Sequence, residues 1–154
     1  MTVRRSLALA AALVCASAAG AAPTEVFTPA PAARPGTGPR LDLGKCVNLS
    51  DMLEAPREGE RGWGRAFEDA DIDRIAGKGF TAIRLPARFN SHALKKPPYT
   101  IDTVFMERVA HVVDLATVRR LKVIVDLHHY PELDARPDKE ARRFAALWRQ
   151  IGER

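Results

Sequence analysis

The chain has 154 residues, of which 46% are hydrophobic and 28% are charged, which suffices for one globular domain with its own core. It is too short for a closed eight-stranded β/α barrel, which needs about 250 residues. The formal net charge is +5, but basic and acidic residues alternate in the body of the chain, as in residues 138–143, so nucleic acid is not an expected partner.

The first 21 residues have the three parts of a secretory signal peptide. Arg4 and Arg5 precede an apolar stretch, residues 7–14, which is followed by small residues in two Ala-x-Ala patterns. One alternative is a membrane anchor, but the apolar stretch is far shorter than the ~20 residues of a spanning helix. Another is a lipoprotein signal at Cys15, which the bulky Val14 disfavours. The sequence predicts a secreted or periplasmic protein with no membrane association after signal cleavage.

Residues 22–40 hold five of the eleven prolines, among alanine, threonine and glycine. This composition predicts an extended linker without a core, and the folded domain is expected to span residues 41–154. Because Cys15 lies in the predicted signal peptide, Cys46 has no intrachain partner in the mature chain. We expect Cys46 to be a buried small hydrophobic residue.

Strands and helices are predicted to alternate along the folded domain. In chain order they are a strand at 45–49, a helix at 68–78, a strand at 81–85, a helix from the N-cap Asp102 to about Arg120, a strand at 123–127 and a helix at 138–154. The second helix carries an apolar stripe formed by Phe105, Val109, Val112, Val113 and Ala116. Long loops follow the strands and short turns follow the helices, which predicts an α/β fold with parallel strands.

Polar side chains lie at the ends of the second and third predicted strands, where parallel α/β folds place their chemistry. Alternation puts Ala82 and Arg84 on one face, so the guanidinium either enters a cavity with carboxylates or a polar ligand, or forms a structural ion pair. His128 and His129 point in opposite directions if the third strand continues, which makes them poor partners for one metal ion. With Tyr130 they fit hydrogen bonding to a polyhydroxylated substrate, the alternative being satisfied histidines at a strand end.

Four segments together carry a family resemblance. They are residues 47–56 (VNLSDMLEAP), 78–86 (KGFTAIRLP), 123–130 (VIVDLHHY) and 144–151 (FAALWRQI). In this order and spacing they resemble the N-terminal part of a glycoside hydrolase family 5 enzyme of the cellulase type. The resemblance covers residues 41–154.

The resemblance implies a (β/α)8 TIM barrel, of which this chain holds about three β/α units, that hydrolyses β-1,4-glucans or related β-mannans with retention. It implies two catalytic glutamates, no metal or other cofactor, a polysaccharide partner and a monomer when complete. Arg84 matches the arginine that contacts the nucleophile, and His128 and His129 match histidines beside the scissile bond. Glu54 and Asp51 match first-loop positions that contact sugar hydroxyls.

The catalytic pair itself has no match in the sequence. The resemblance places the general acid/base in an Asn-Glu-Pro motif after the fourth strand and the nucleophile on the seventh, and Asn-Glu-Pro does not occur here. Both glutamates are therefore expected beyond Arg154, in a longer enzyme of which this is the front part, and the chain alone is expected to be inactive. The alternatives are a non-catalytic carbohydrate-binding remnant and a secreted structural or interaction protein.

Overall fold

The structure, a computed structural model, describes residues 41–55 and 65–154. The predicted signal peptide and linker lie outside the described residues. The elements are β1 (Cys46–Asn48), α1 (Asp69–Gly77), β2 (Ala82–Ala87), a 3₁₀ turn (Phe89–His92), α2 (Thr103–Val118), β3 (Lys122–Leu127), α3 (Pro131–Ala135) and α4 (Pro137–Glu153). None of the helices described is long and apolar enough to cross a membrane.

The three strands form a parallel sheet in the order β1-β2-β3, as the alternating pattern predicts. Asn48 lies opposite Arg84, and Arg84 lies opposite Ile124. Because side chains alternate along a strand, one face of β2 presents Ile83 and Leu85, which are fully buried. These two pack in one hydrophobic core with residues of α1, α2 and α4. The other face of β2 carries Arg84.

Helix α2 forms where its sequence predicts it. The Asp102 carboxylate caps it by accepting a hydrogen bond of 2.9 Å from the backbone N–H of Phe105. Four residues of the predicted stripe are buried and the fifth, Val113, is partly buried against the same core. The helix ends two residues early because Arg120 adopts a left-handed φ of 59°, and the backbone N–H of Leu121 donates to Ala116 O at 2.9 Å.

A buried carboxylate organises the start of α1. Asp71 accepts a hydrogen bond of 3.0 Å from the backbone N–H of Glu68 and pairs with the guanidinium groups of Arg65 and Arg74. Burial by itself raises the pKa of Asp71, but the bonds from Arg65, Glu68 and Arg74 outweigh it, and the pKa lies below its usual value. The carboxylate therefore stays ionised inside the fold.

Residues 42–45, which lead into β1, are joined to Thr81 and Lys122 by a set of hydrogen bonds that we call the seam around Thr81. The Thr81 hydroxyl donates to Leu43 O at 2.7 Å and accepts from the backbone N–H of Lys45 at 2.9 Å. Gly44 lies in the turn between them with φ of 59°, and a Cβ at that position would come within 2.4 Å of Thr81 Oγ1. Lys122 adds a hydrogen bond to Asp42 O. The seam thus joins the amino-terminal ends of all three strands.

Two expectations about local structure are wrong. Cys46 is exposed, and it lies in the edge strand β1 in alternation with Asn48. The single helix predicted at 138–154 begins one residue earlier and is preceded by a further short helix, α3. Both α3 and α4 begin at a proline, Pro131 and Pro137, which fits the first turn of a helix, where an N–H is not needed.

Candidate functional site

Arg84 is held at both ends of its guanidinium group by residues of the neighbouring strands. Its Nη1 donates to Asn48 Oδ1 of β1 at 2.8 Å, and its Nη2 donates to the carboxylate of Asp126 on β3. All three residues lie on the same face near the carboxyl-terminal ends of the parallel strands. The arginine is therefore fixed in one orientation by a neutral acceptor and a charged one.

His128 joins this group just beyond the end of β3. Its backbone N–H donates to Ala87 O at 3.0 Å, which extends the pairing with β2 by one residue. Its Nδ1 lies 3.0 Å from Asp126 Oδ2 and 3.3 Å from Arg84 Nη2. We call Asn48, Arg84, Asp126 and His128 the Arg84 cluster.

The Arg84 cluster is accessible. The side chains of Arg84, Asp126 and His128 are 36%, 28% and 35% exposed, and Asn48 is exposed. Arg84 therefore forms the ion pair that was one of the two predicted alternatives, and its side chain stays partly exposed. Such a cluster can orient a bound hydroxyl group and place a positive charge beside a second carboxylate.

His129 lies beside His128, contrary to the expectation that the two rings point in opposite directions. Its φ of 55° breaks the strand alternation on which that expectation rested, and the two ring centroids are 4.2 Å apart with a tilt of 55°. His129 is exposed. Within residues 41–55 and 65–154, no group of three or more His, Cys, Asp or Glu side chains is arranged to hold a metal ion.

The first loop holds Asp51 and Glu54, the two other predicted site residues. Asp51 is exposed and adopts φ of 67°, and its backbone N–H donates to Glu54 Oε1 at 3.1 Å. Glu54 is only 5% exposed, and its Oε2 has no hydrogen-bond partner among the described residues. In the part of the chain that is described, neither residue contacts the Arg84 cluster through a hydrogen bond. Glu54 is thus a buried residue that accepts a hydrogen bond from the loop backbone, and the sugar contact expected of it stays a prediction.

Tyr130 is buried, and its predicted place beside a substrate is wrong. Its hydroxyl donates to Glu140 Oε2 at 2.6 Å and accepts from Arg143 Nη1 at 3.4 Å, while Arg143 Nη2 donates to Asn90 O at 2.7 Å. We call Asn90, Tyr130, Glu140 and Arg143 the Tyr130 network. Burial, and next the hydrogen bond to Glu140, raise the pKa of Tyr130 well above its usual value, so the phenol stays protonated.

Two members of the Arg84 cluster were missed in the sequence, although each left a signal. Asp126 is the one charged residue in the apolar run 123–127, and such a residue in a buried strand needs a partner of opposite charge. Asn48 lies in the first predicted strand in alternation with Cys46, on the face that the register brings beside Arg84.

Comparison with known proteins decides the family. The family model described as cellulase (glycosyl hydrolase family 5) matches residues 44–154. The chain belongs to glycosyl hydrolase family 5. The resemblance inferred from the four segments is thereby confirmed.

Several curated relatives of the chain are named endoglucanases. Endoglucanase H of Acetivibrio thermocellus is 34% identical over 112 residues, which are 73% of this chain and 12% of the relative. Endoglucanase A of Ruminococcus albus is 35% identical over 118 residues, which are 70% of this chain and 32% of the relative. The chain thus spans less than a third of the length of either relative.

Solved structures of the family superpose on the described sheet and helices. Cel5A of Thermotoga maritima, solved in complex with mannotriose, is 41% identical with a TM-score of 0.67, and the match covers 71% of this chain and 35% of that one. A hyperthermophilic endo-β-1,4-glucanase solved with substrate is 39% identical with a TM-score of 0.69, over 72% and 35% of the two chains. The three parallel strands correspond to part of the (β/α)8 barrel that these neighbours imply.

Proposed function

We propose that this chain forms the amino-terminal part of the substrate cleft of a retaining glycoside hydrolase that acts on β-1,4-glucans or related β-mannans. The observation that carries the proposal is the Arg84 cluster, an accessible group of fixed donors and acceptors at the carboxyl-terminal ends of parallel strands. The relatives named endoglucanases support a glucan, and the neighbour solved with mannotriose supports a mannan.

The proposed roles follow from charge and accessibility. Arg84 places its positive charge beside the carboxylate that attacks the sugar and thereby keeps that carboxylate ionised. His128 and His129 hydrogen-bond sugar hydroxyls, since both are accessible. Asp51, which is exposed, contacts a hydroxyl at the edge of the cleft, and Glu54 holds the backbone of Asp51 in place.

Cleavage needs more than these residues. Retaining hydrolysis requires an acid that protonates the leaving oxygen and a second carboxylate about 5–5.5 Å away that attacks the anomeric carbon. The Asn-Glu-Pro motif that carries the acid in this family does not occur in the 154 residues. We therefore propose that these residues bind the sugar and position charge, and do not hydrolyse glycosides by themselves. The amino-terminal pattern further supports export of the protein.

The test measures binding and cleavage separately on the full chain. Cellotriose and mannotriose are titrated by calorimetry, and release of reducing sugar from a soluble β-glucan is followed in parallel. We expect binding without product release. His128→Ala should weaken cellotriose or mannotriose binding about tenfold, or about 1.4 kcal/mol, because a hydrogen bond to the sugar is lost.

A matched histidine provides the control. His111 pairs with Asp69 at 2.9 Å on the helices, much as His128 pairs with Asp126 at 3.0 Å. His111→Ala should therefore leave the affinity unchanged. Equal losses of affinity in the two variants would refute the proposed sugar site, as would a lack of binding of either trisaccharide by the unmodified chain. Release of reducing sugar by the chain alone would refute the proposal that these residues bind the sugar without hydrolysing it.

A further inference from the structure

His129 has a backbone conformation that costs free energy. Its φ of 55° lies in the left-handed region, which residues other than glycine rarely enter. Such a conformation persists only where the surrounding structure holds the chain on both sides of it. On the amino-terminal side, the backbone N–H of His128 donates to Ala87 O at 3.0 Å and fixes the end of β3 against β2. On the other side the next residue is Tyr130.

Tyr130 is anchored through its ring, its hydroxyl and its backbone. The buried ring lies under the guanidinium group of Arg143, whose Cζ is 5.4 Å from the ring centroid. The hydroxyl donates to Glu140 Oε2 at 2.6 Å and accepts from Arg143 Nη1 at 3.4 Å. The carbonyl oxygen accepts from the backbone N–H of Leu133 at 3.0 Å, at the start of α3. Tyr130 is therefore held in one position directly after His129.

Arg143 connects this anchor to the segment that follows β2. Its Nη2 donates to Asn90 O at 2.7 Å and to Ala93 O at 3.3 Å, which belong to the 3₁₀ turn and to the residue after it. The Arg143 side chain is buried, so these hydrogen bonds are shielded from water. Because one guanidinium group contacts both the turn after β2 and the ring of Tyr130, it fixes the segments that follow β2 and β3 relative to each other.

We propose that Arg143 is a positioning residue for His129. It holds Tyr130 against the turn after β2, and this keeps the His129 backbone in the left-handed conformation. That conformation brings the ring of His129 beside the ring of His128, with the two centroids 4.2 Å apart. Since Arg143 is itself buried, it acts through the chain and not by contact with a ligand. The effect on sugar binding rests on the proposed function, whereas the conformation of His129 does not.

A matched pair of substitutions measures whether the left-handed conformation is imposed on position 129. His129→Gly and His129→Ala both remove the ring, but only glycine adopts a positive φ without strain. We expect the folding equilibrium constant of His129→Gly to be about threefold larger than that of His129→Ala, as measured by urea denaturation of the full chain. An equal or smaller constant for His129→Gly would overturn the proposal, because the conformation would then cost nothing.

The same pair in the Arg143→Met background tests whether Arg143 imposes the conformation. Without the guanidinium group, Tyr130 is released from the turn after β2, and alanine at position 129 relaxes to a negative φ. Glycine then keeps only its larger loss of chain entropy, so its threefold advantage over alanine should disappear. An arginine that merely stabilises the fold would lower the stability of both variants equally, and an unchanged advantage would overturn the proposal.

Two further backgrounds complete this test. Tyr130→Phe removes only the hydroxyl that contacts Glu140 and Arg143, and it decides the question if Arg143→Met does not fold. The advantage of glycine should fall there as well, and an unchanged advantage would overturn the proposal. Arg142→Met, at the exposed neighbouring position, is the matched control and should leave the advantage at about threefold. An equal fall in Arg142→Met would also contradict the role assigned to Arg143.

Cellotriose separates this proposal from the proposed function. Arg143→Met should weaken cellotriose binding by the same factor as His129→Ala, because both substitutions take the His129 ring away from the sugar. The two substitutions combined should weaken binding no further than one of them alone. Further weakening in the combined variant would overturn the action of Arg143 through His129. No binding by the unmodified chain would refute the sugar site, while the urea comparison would still decide what holds the His129 backbone.

Discussion

The Arg84 cluster and the Tyr130 network are built from similar groups, yet their surroundings differ. Each has an arginine, a carboxylate and a ring with a polar atom. In the Arg84 cluster the arginine is 36% exposed, whereas in the Tyr130 network Arg143 is 6% exposed and Tyr130 is 5% exposed. Composition alone therefore does not separate a site that can receive a ligand from one that stabilises the fold.

The largest effect on stability is expected from Arg143→Met. The substitution leaves Asn90 O and the Tyr130–Glu140 pair without their buried donor, and removing one partner of a buried charged network costs about 3 kcal/mol. Urea denaturation measures this loss in the free energy of unfolding. Arg142→Met, on the exposed neighbouring position, should change the free energy of unfolding by less than about 0.5 kcal/mol. Equal losses in free energy of unfolding for Arg143→Met and Arg142→Met would contradict the stabilising role of the Tyr130 network.

A smaller loss is expected from Tyr130→Phe, which keeps the ring and removes only the hydroxyl. Losing a hydrogen bond to a carboxylate costs about 1.5–3 kcal/mol. The pKa of Tyr130 is raised on folding, so this contribution is fully present below the unfolded pKa of about 10 and is lost as the pH rises further.

The loss of stability in Tyr130→Phe should depend on pH, because the pKa of Tyr130 is raised on folding. The difference in free energy of unfolding between the unmodified chain and Tyr130→Phe should be constant from pH 7 to 9 and should shrink above pH 10. A difference that grows with pH would mean that the hydroxyl is not a buried donor to Glu140.

The smallest effect on stability is expected from Arg84→Met, because its ion pair with Asp126 is partly exposed and such pairs contribute up to about 1 kcal/mol. Its effect on ligand affinity should be larger, with cellotriose binding about fivefold weaker, since His128 and Asp126 lose a partner. Arg119→Met removes a comparable pair with Asp73 and should leave the affinity unchanged. Strong destabilisation by Arg84→Met would make the Arg84 cluster a second structural network.

The sequence is most informative where a pattern repeats. The stripe on α2 recurs over five residues and predicts both the helix and its buried face, and the alternation of β2 predicts the side on which Arg84 lies. The surroundings of a single residue are harder to predict, because they depend on contacts with residues that are distant in the sequence. Tyr130 follows His129 directly, but the positive φ of His129 turns the chain, and Tyr130 contacts Arg143, which lies 13 residues further along.

The same limit applies to Cys46 and Asp126. Cys46 is apolar by composition, but which face it occupies depends on the register with Ala82, 36 residues away. Asp126 pairs with Arg84 across 42 residues, which no local pattern specifies. Neighbour relations across strands are set by the packing of the helices between them and cannot be read from one segment.

The seam around Thr81 has a practical consequence for attaching the protein to a surface or a carrier. It binds residues 42–45 to the amino-terminal ends of the strands, whereas the Arg84 cluster lies at their carboxyl-terminal ends. A tether joined directly to Leu41 therefore starts at the amino-terminal end of the strands, opposite the Arg84 cluster. Immobilisation through that end should leave the candidate sugar site facing away from the support.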